Sequence, residues 1–171
     1  AVSERERILD QMVTLNNQII RWLDIRFPEW TKVFKNWKTG MTARIVLKEF
    51  STPAAIVEAG VDNIMTKLEE AMQRPSRKKV EQLIRVASVS VGRVEGSEAA
   101  TMALRNLLAM YEMAEQQRAS IEQTMEELLL QVPNAGKLVA IKGVGSILAA
   151  VMVSEIGDIS RFEDPRQIIK L

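Results

Sequence analysis

The chain has 171 residues, 47% hydrophobic and 26% charged, with a formal net charge of +1, the balance of a folded domain and not of a disordered tail. It contains no histidine and no cysteine, which excludes Ser-His-Asp and Cys-His nucleophiles, disulfides, and zinc sites built from thiolate or imidazole. No eighteen-residue apolar run is present to span a bilayer, and Ala1-Val2-Ser3-Glu4-Arg5 has no apolar signal-peptide core, so the cytoplasm is the expected location, with no membrane partner. The charge is polarised along the chain. Seven cations face two acids between Arg21 and Lys48, and five glutamates face Arg118 between Glu112 and Glu127, a pattern that steers charged partners.

The predicted elements are all helical. Ser3-Glu4-Arg5-Glu6 reads as a capping box, opening a helix whose apolar positions Ile8, Met12, Leu15, Ile19 and Trp22 follow heptad spacing up to Phe27-Pro28. Pro28 suits the first turn of a short helix with Trp30, Phe34 and Trp37 on one face, ending at Lys38-Thr39-Gly40. Further helices are expected from about Thr42 to Phe50, after the Ser51-Thr52-Pro53 cap up to Gly60, from Val61 to Gln73, and from Pro75-Ser76 to Gly92 with a stripe of Val80, Ile84, Ala87 and Val91. The longest helix begins near Ser97. Leu104, Leu107, Tyr111, Ala114, Arg118, Ile121, Met125, Leu128 and Val132 alternate by three and four residues until Pro133-Asn134. Its seam must be covered by the first helix or by a second copy of the chain. Leu107, Tyr111, Ala114, Ile121, Met125 and Leu128 are therefore the expected dimer seam, in a homodimer or higher homo-oligomer.

The stretch Leu138-Val139-Ala140-Ile141-Lys142-Gly143-Val144-Gly145-Ser146-Ile147-Leu148-Ala149-Ala150 reads as a helix-hairpin-helix. One glycine takes a backbone conformation forbidden to larger residues, and the missing side chains let a phosphate approach main-chain N–H groups. Those groups open the second helix, where the dipole favours an anion. Val144 pins the turn, and Lys137 and Lys142 flank it. The expected DNA-binding set is Lys137, Lys142, Gly143, Val144, Gly145 and Ser146. The plain alternative is a tight helix–helix turn without a ligand.

Further nucleic-acid contacts are expected from Lys32, Lys35 and Lys38, and from Arg77, Lys78 and Lys79, where cations in a first helical turn oppose the macrodipole. Five of the eight aromatics fall between Trp22 and Trp37. They could stack bases, but the shared face of Trp30, Phe34 and Trp37 fits a small core better. Glu155 and Asp158 could share a cation; a solvated or capping pair is the plainer reading, so no metal site and no catalytic residue are assigned.

Ala140-Ile141-Lys142-Gly143-Val144-Gly145, Ala149-Ala150, Ser154-Glu155-Ile156-Gly157-Asp158 and Arg161-Phe162 resemble the opening of the C-terminal domain in a family of bacterial insertion-sequence transposases. Phe27-Pro28-Glu29, Val33-Phe34 and Leu47-Lys48-Glu49-Phe50-Ser51-Thr52-Pro53 are similar to the segment after that family's nuclease domain. The resemblance implies a RuvC-like nuclease domain with four acidic residues, a C-terminal serine nucleophile, a structured guide (bridge) RNA, and Mg²⁺ for the parent enzyme. No match to the acidic quartet or to the Ser-Gly element lies within the chain, and neither Ser146 nor Ser154 takes the nucleophile's place. The chain is thus expected to be an internal fragment, without a cofactor of its own and inactive alone.

The resulting expectation is an all-α fold, a long coiled-coil-like helical hairpin with a small helical lobe and a C-terminal helix-hairpin-helix. Its segments are a first coiled-coil helix (1–26), a small lobe (27–96), a long coiled-coil helix (97–132) and the hairpin opening of the transposase domain (133–171). The expected function is DNA and guide-RNA binding and self-association within a transposase of the bacterial cytoplasm. The alternative is a non-enzymatic helix-hairpin-helix binder or coiled-coil adaptor.

Overall fold

The computed structural model describes residues 1–133 and 135–157. Among them are seven α-helices, one 3-10 turn and no strand, in the order α1 (Val2–Arg26), the turn Pro28–Lys32, α2 (Met41–Glu49), α3 (Pro53–Glu69), α4 (Arg77–Ser88), α5 (Ser97–Leu130), α6 (Ala135–Val139) and α7 (Ser146–Ile156). The all-α class read from the sequence is the class observed. The chain divides into two compact units, Val13–Glu112 and Ala1–Met12 with Met113–Leu171, so α1 and α5 each serve both.

The Val13–Glu112 unit is built on the second part of α1, whose Leu15, Ile19, Trp22 and Leu23 are buried. The Trp22 indole N–H donates to the Ala100 carbonyl of α5 at 2.8 Å. The expected short helix around Trp30 is only the five-residue 3-10 turn Pro28–Lys32. The chain leaves the helical path beyond it, and the Asn36 side chain accepts the Lys38 N–H at 2.9 Å. Trp30, Phe34 and Trp37 are nevertheless buried, at 2–4% exposure. Ring contacts join Trp30 to Phe34 at 4.6 Å and Trp37 to Tyr111 at 5.0 Å. These aromatics form core and leave no stacking platform on the surface. The Trp37 indole N–H is satisfied by Asn16 Oδ1 at 3.1 Å.

Thr52 caps α3 by accepting the Ala55 N–H, with Pro53 in the first turn. Gly60, at φ 70°, breaks the path inside α3, which is where the glycine was expected to close a helix, since that region of backbone space favours a residue without Cβ. α4 is shorter than expected. Its buried face is Val80, Leu83 and Ala87, and it ends at Ser88, so Val91 lies outside the helix and is 83% exposed.

The cause is a clasp from the other side of the unit. The buried Glu29 carboxylate accepts the Ser90 hydroxyl at 2.6 Å and the Val91 N–H at 3.1 Å. The Arg93 N–H donates to the Ile25 carbonyl at 2.9 Å, and the Arg26 guanidinium donates to the carbonyls of Arg93 and Glu95. Backbone and side-chain bonds drawn to these partners take residues 90–95 out of helical pairing. Gly92 sits where this segment crosses the end of α1, and a Cβ there would lie 1.9 Å from the Arg26 carbonyl oxygen.

In the Ala1–Met12 with Met113–Leu171 unit, Ile8, Met12, Ala114, Met125 and Leu129 are buried. Arg5 of α1 donates to Glu122 of α5 at 2.8 Å, and Arg118, the charge that interrupts the apolar spacing, lies 3.9 Å from the same carboxylate. The start of α1 also differs from expectation. Val2 is already helical, so Ser3 lies inside the first turn and not at a cap, while Glu4 pairs with Arg7 at 2.6 Å.

The buried face of α5 corrects the expected seam. Buried positions are Leu104, Leu108, Tyr111, Ala114, Met125 and Leu129; Leu107 and Ile121 are half-buried, and Leu128 is 50% exposed. Tyr111, Ala114 and Met125 are thus covered within one chain and are not open for a partner. Leu107-Leu108 and Leu128-Leu129 are adjacent leucines about 100° apart around the helix, and periodicity alone does not choose between them.

Two outcomes follow from the clasp. Gly92→Ala should cost about 1–3 kcal/mol, the usual penalty of overpacking against atoms that cannot swing away, read as a lower urea midpoint with the helical signal retained. Burial pushes the Glu29 carboxyl up, but the hydrogen bonds from Ser90 and Val91 and the charge of Lys32 outweigh it and hold the carboxyl below its ordinary value. A depressed carboxylate stabilises the fold above its unfolded pKa and loses that contribution as pH falls through its folded pKa. Glu29→Gln should therefore be destabilised at pH 7, and its gap from wild type should shrink with acidification through the carboxylate range. A gap independent of pH would show that the charge contributes nothing.

Candidate nucleic-acid interface

The C-terminal candidate is a short helix, a glycine turn and a second helix, all in one unit. α6 (Ala135–Val139) gives way to a turn closed by hydrogen bonds from the Ile141 N–H to the Leu138 carbonyl at 3.1 Å and from the Val144 N–H to the Ile141 carbonyl at 3.0 Å. Gly143 has φ 94°, a region that L side chains enter only under strain. Gly145 is different. It is extended at φ −83° and ψ 170° where it precedes α7, a conformation open to any residue, and a Cβ there would meet nothing within 4 Å. Neither conformation nor internal packing requires glycine at 145. What its bareness leaves open is the approach to the first N–H groups of α7, and no side chain caps them from position 145.

Leu129, Ala135 and Ala149 are buried together, with Val132, Leu138, Val144, Ala150 and Val153 packed against them. Val144 is the inward anchor of the turn, while Lys137, Lys142, Gly143 and Gly145 are exposed. Both lysines thus present their charge to solvent, Lys137 from α6 and Lys142 from the turn itself. Ser146 is not free for a ligand in the same way, because its hydroxyl donates to the Glu126 carboxylate of α5. Spacing gave no sign of Glu126. It is one of five acids along that stretch of α5, and only the fold of α7 back onto α5 singles it out. A carboxylate at the start of α7 interacts favourably with the same N–H groups and dipole that an incoming phosphate would use.

The other expected cations lie in the Val13–Glu112 unit. Lys32, Lys35, Lys78 and Lys79 are exposed, and Lys38 is half-buried, with its backbone carbonyl accepting the Arg44 guanidinium at 2.7 Å. Arg77 is engaged by two acids, Asp62 at 2.9 Å and Glu81 at 3.5 Å. The Lys79 ammonium lies 4.9 Å from the Phe34 ring centroid. Asp158, the expected partner of Glu155, lies outside the described residues. Among the described residues no cluster of three or more acids is placed to hold a metal ion, and no helix is long and apolar enough to cross a membrane.

Removing the Glu126 charge tests its place at the turn. If that carboxylate competes for the start of α7, Glu126→Gln should raise affinity for duplex DNA several-fold and most strongly at low salt, where charge effects are least screened. Equal affinities for variant and wild type across a salt titration would remove Glu126 from any role at the turn.

No curated protein and no solved structure matches the chain. Residues 135–171 match the model of the transposase IS116/IS110/IS902 family, so α6, the glycine turn and α7 fall inside the matched segment, and the match supports an insertion-sequence transposase lineage with a role in transposition.

Proposed function

We propose that the chain works in DNA transposition, and that the turn between α6 and α7 contacts the phosphate backbone of DNA in the manner of a helix-hairpin-helix. The observation that carries this reading is the bareness of Gly145. The position has no conformational or steric need for glycine, yet it stands before a helix start without a side-chain cap, follows two exposed lysines in the chain and lies within the transposase-matched segment. A phosphate seated there accepts main-chain N–H groups and gains from the dipole, with Lys137 and Lys142 supplying positive charge. Ser146 then acts only after its hydroxyl exchanges Glu126 for phosphate.

On this reading the chain binds and positions nucleic acid, and strand breakage and rejoining belong to the serine and Mg²⁺-binding acids that the family resemblance implies. A structured guide RNA is a second ligand of the same chemistry. Self-association is the remaining part of the proposal. Since Tyr111, Ala114 and Met125 are already buried in the single chain, the surface for it draws on apolar residues that the chain leaves exposed, Leu128 of the expected seam among them.

Backbone contact of this kind is weak, indifferent to sequence and salt-sensitive. Each lysine–phosphate contact adds about −0.9 to the slope of log affinity against log salt. Lys137→Ala with Lys142→Ala should therefore flatten the slope by about 2 without changing the melting temperature, both side chains being exposed. Gly145→Val should weaken binding with the fold retained, because its side chain enters open space and blocks only the approach. An unchanged slope in the double variant, with binding intact, would reduce the turn to a structural connection.

A further inference from the structure

We infer that the Val13–Glu112 unit carries a second phosphate-backbone surface, formed where the first turn of α4 packs on the 3-10 turn Pro28–Lys32. Cations 40 and more residues apart in sequence meet there. Gln82 of α4 donates to the Lys32 carbonyl at 3.1 Å, and Lys79 rests on the ring of Phe34. This contact places Lys78 and Lys79 on the same side of the unit as Lys32 and Lys35. All four are exposed, and none has a carboxylate within ion-pair distance among the described residues.

Three of the acids nearby are already engaged, and the exposed Asp24 lines the adjoining cleft. Asp62 and Glu81 hold Arg77, and Glu29, which feels the charge of Lys32, is buried under its bonds from Ser90 and Val91. The surface therefore carries four lysines outside any ion pair, on α4 and on the Pro28–Lys32 turn with the chain just after it, and Glu29 offsets part of the Lys32 charge. Lys78 and Lys79 moreover stand in the first turn of α4, where they oppose the helix dipole, so helix stability does not account for them. Beside them, Asp24, Trp30, Phe34, Lys35, Asn36 and Lys38 line a cleft of about 230 Å³. The buried indole N–H of Trp30 has no acceptor. An unsatisfied buried donor of this kind costs about 1–3 kcal/mol.

Charges spread over two elements, with no enclosing pocket for a small anion, fit a chain of regularly repeated phosphates. The choice of nucleic acid over an acidic protein rests on the transposition reading above. Lys79 is partly ordered before binding by its place on the Phe34 ring, which lowers the entropic cost of using it.

The test uses the 171-residue chain, a fluorescent DNA duplex and a fluorescent structured RNA, with affinity followed over a salt series. Lys32→Ala with Lys35→Ala, and separately Lys78→Ala with Lys79→Met, should each flatten the slope by about 2 on duplex DNA, the methionine keeping the apolar contact on Phe34. Arg77→Ala should leave the slope unchanged, because its charge is already paired. Melting temperatures within a few degrees of wild type exclude loss of fold as the cause. The relative size of the effect on the two ligands tells whether DNA or RNA is the natural occupant. Unchanged slopes in both lysine pairs, with the Lys137 and Lys142 variant still effective, would overturn this surface and leave the α6–α7 reading standing. Wild-type chain that binds neither nucleic acid would overturn both. Lysine-dependent binding of a polyglutamate peptide with none of nucleic acid would reassign the surface to an acidic protein.

Discussion

The Val13–Glu112 unit turns on one buried carboxylate. Glu29 stands in the Pro28–Lys32 turn just after α1, is almost wholly withdrawn from water, and is satisfied by a hydroxyl and a backbone N–H from residues 90 and 91. A buried acid without partners would be expelled or neutralised. Here the bonds it draws in fix where α4 stops and how the chain approaches α5. The close approach at Gly92, the Arg26 bonds to the carbonyls of Arg93 and Glu95 and the packing of α4 on the Pro28–Lys32 turn all depend on that path. The four exposed lysines around the turn meet because the clasp brings their two elements together.

The two proposed contact regions would meet an anion differently. At the α6–α7 turn, little charge is available, and on the proposed reading main-chain N–H groups at a helix start would supply most of the attraction, which is why the bareness of Gly145 matters to it. At the proposed α4 surface, side-chain charge would supply the attraction. Glu126, which accepts the Ser146 hydroxyl, stands beside only the first region. On that reading nucleic acid would have to displace this carboxylate, a competition that favours a polyanion meeting several contacts at once over an isolated phosphate.

Much of this was legible in the sequence. Helix spans for α1, α2 and α5 follow from heptad and amphipathic spacing. The start of α3 follows from a hydroxyl before proline, and the break in it from Gly60, whose positive φ needs a residue without Cβ. The turn residues Gly143-Val144-Gly145 were equally readable, since apolar-glycine alternation between two helices has few other physical uses. The burial of Trp30, Phe34 and Trp37 was readable as well, although the helix expected to carry them shrank to a single 3-10 turn.

Tertiary structure alone decided the rest, for reasons of distance. Hydrogen bonds between Glu29 and residues 90 and 91 join positions 61 and 62 apart, and local periodicity carries no trace of such a pairing, so Val91 read as helix. Leu107 and Leu108 are equally apolar, and the face of α5 that is buried was settled by what packs on it. The seam that spacing offered to a partner is, at Tyr111, Ala114 and Met125, covered within one chain. Glu126 looks like any other glutamate of an acidic run until α7 folds back onto α5. What the sequence determined by itself is the type of each element and the chemistry of its turns, because those depend on neighbours within one or two helical turns; which charges meet and which carboxylate stands before α7 depend on contacts that form only when distant segments pack.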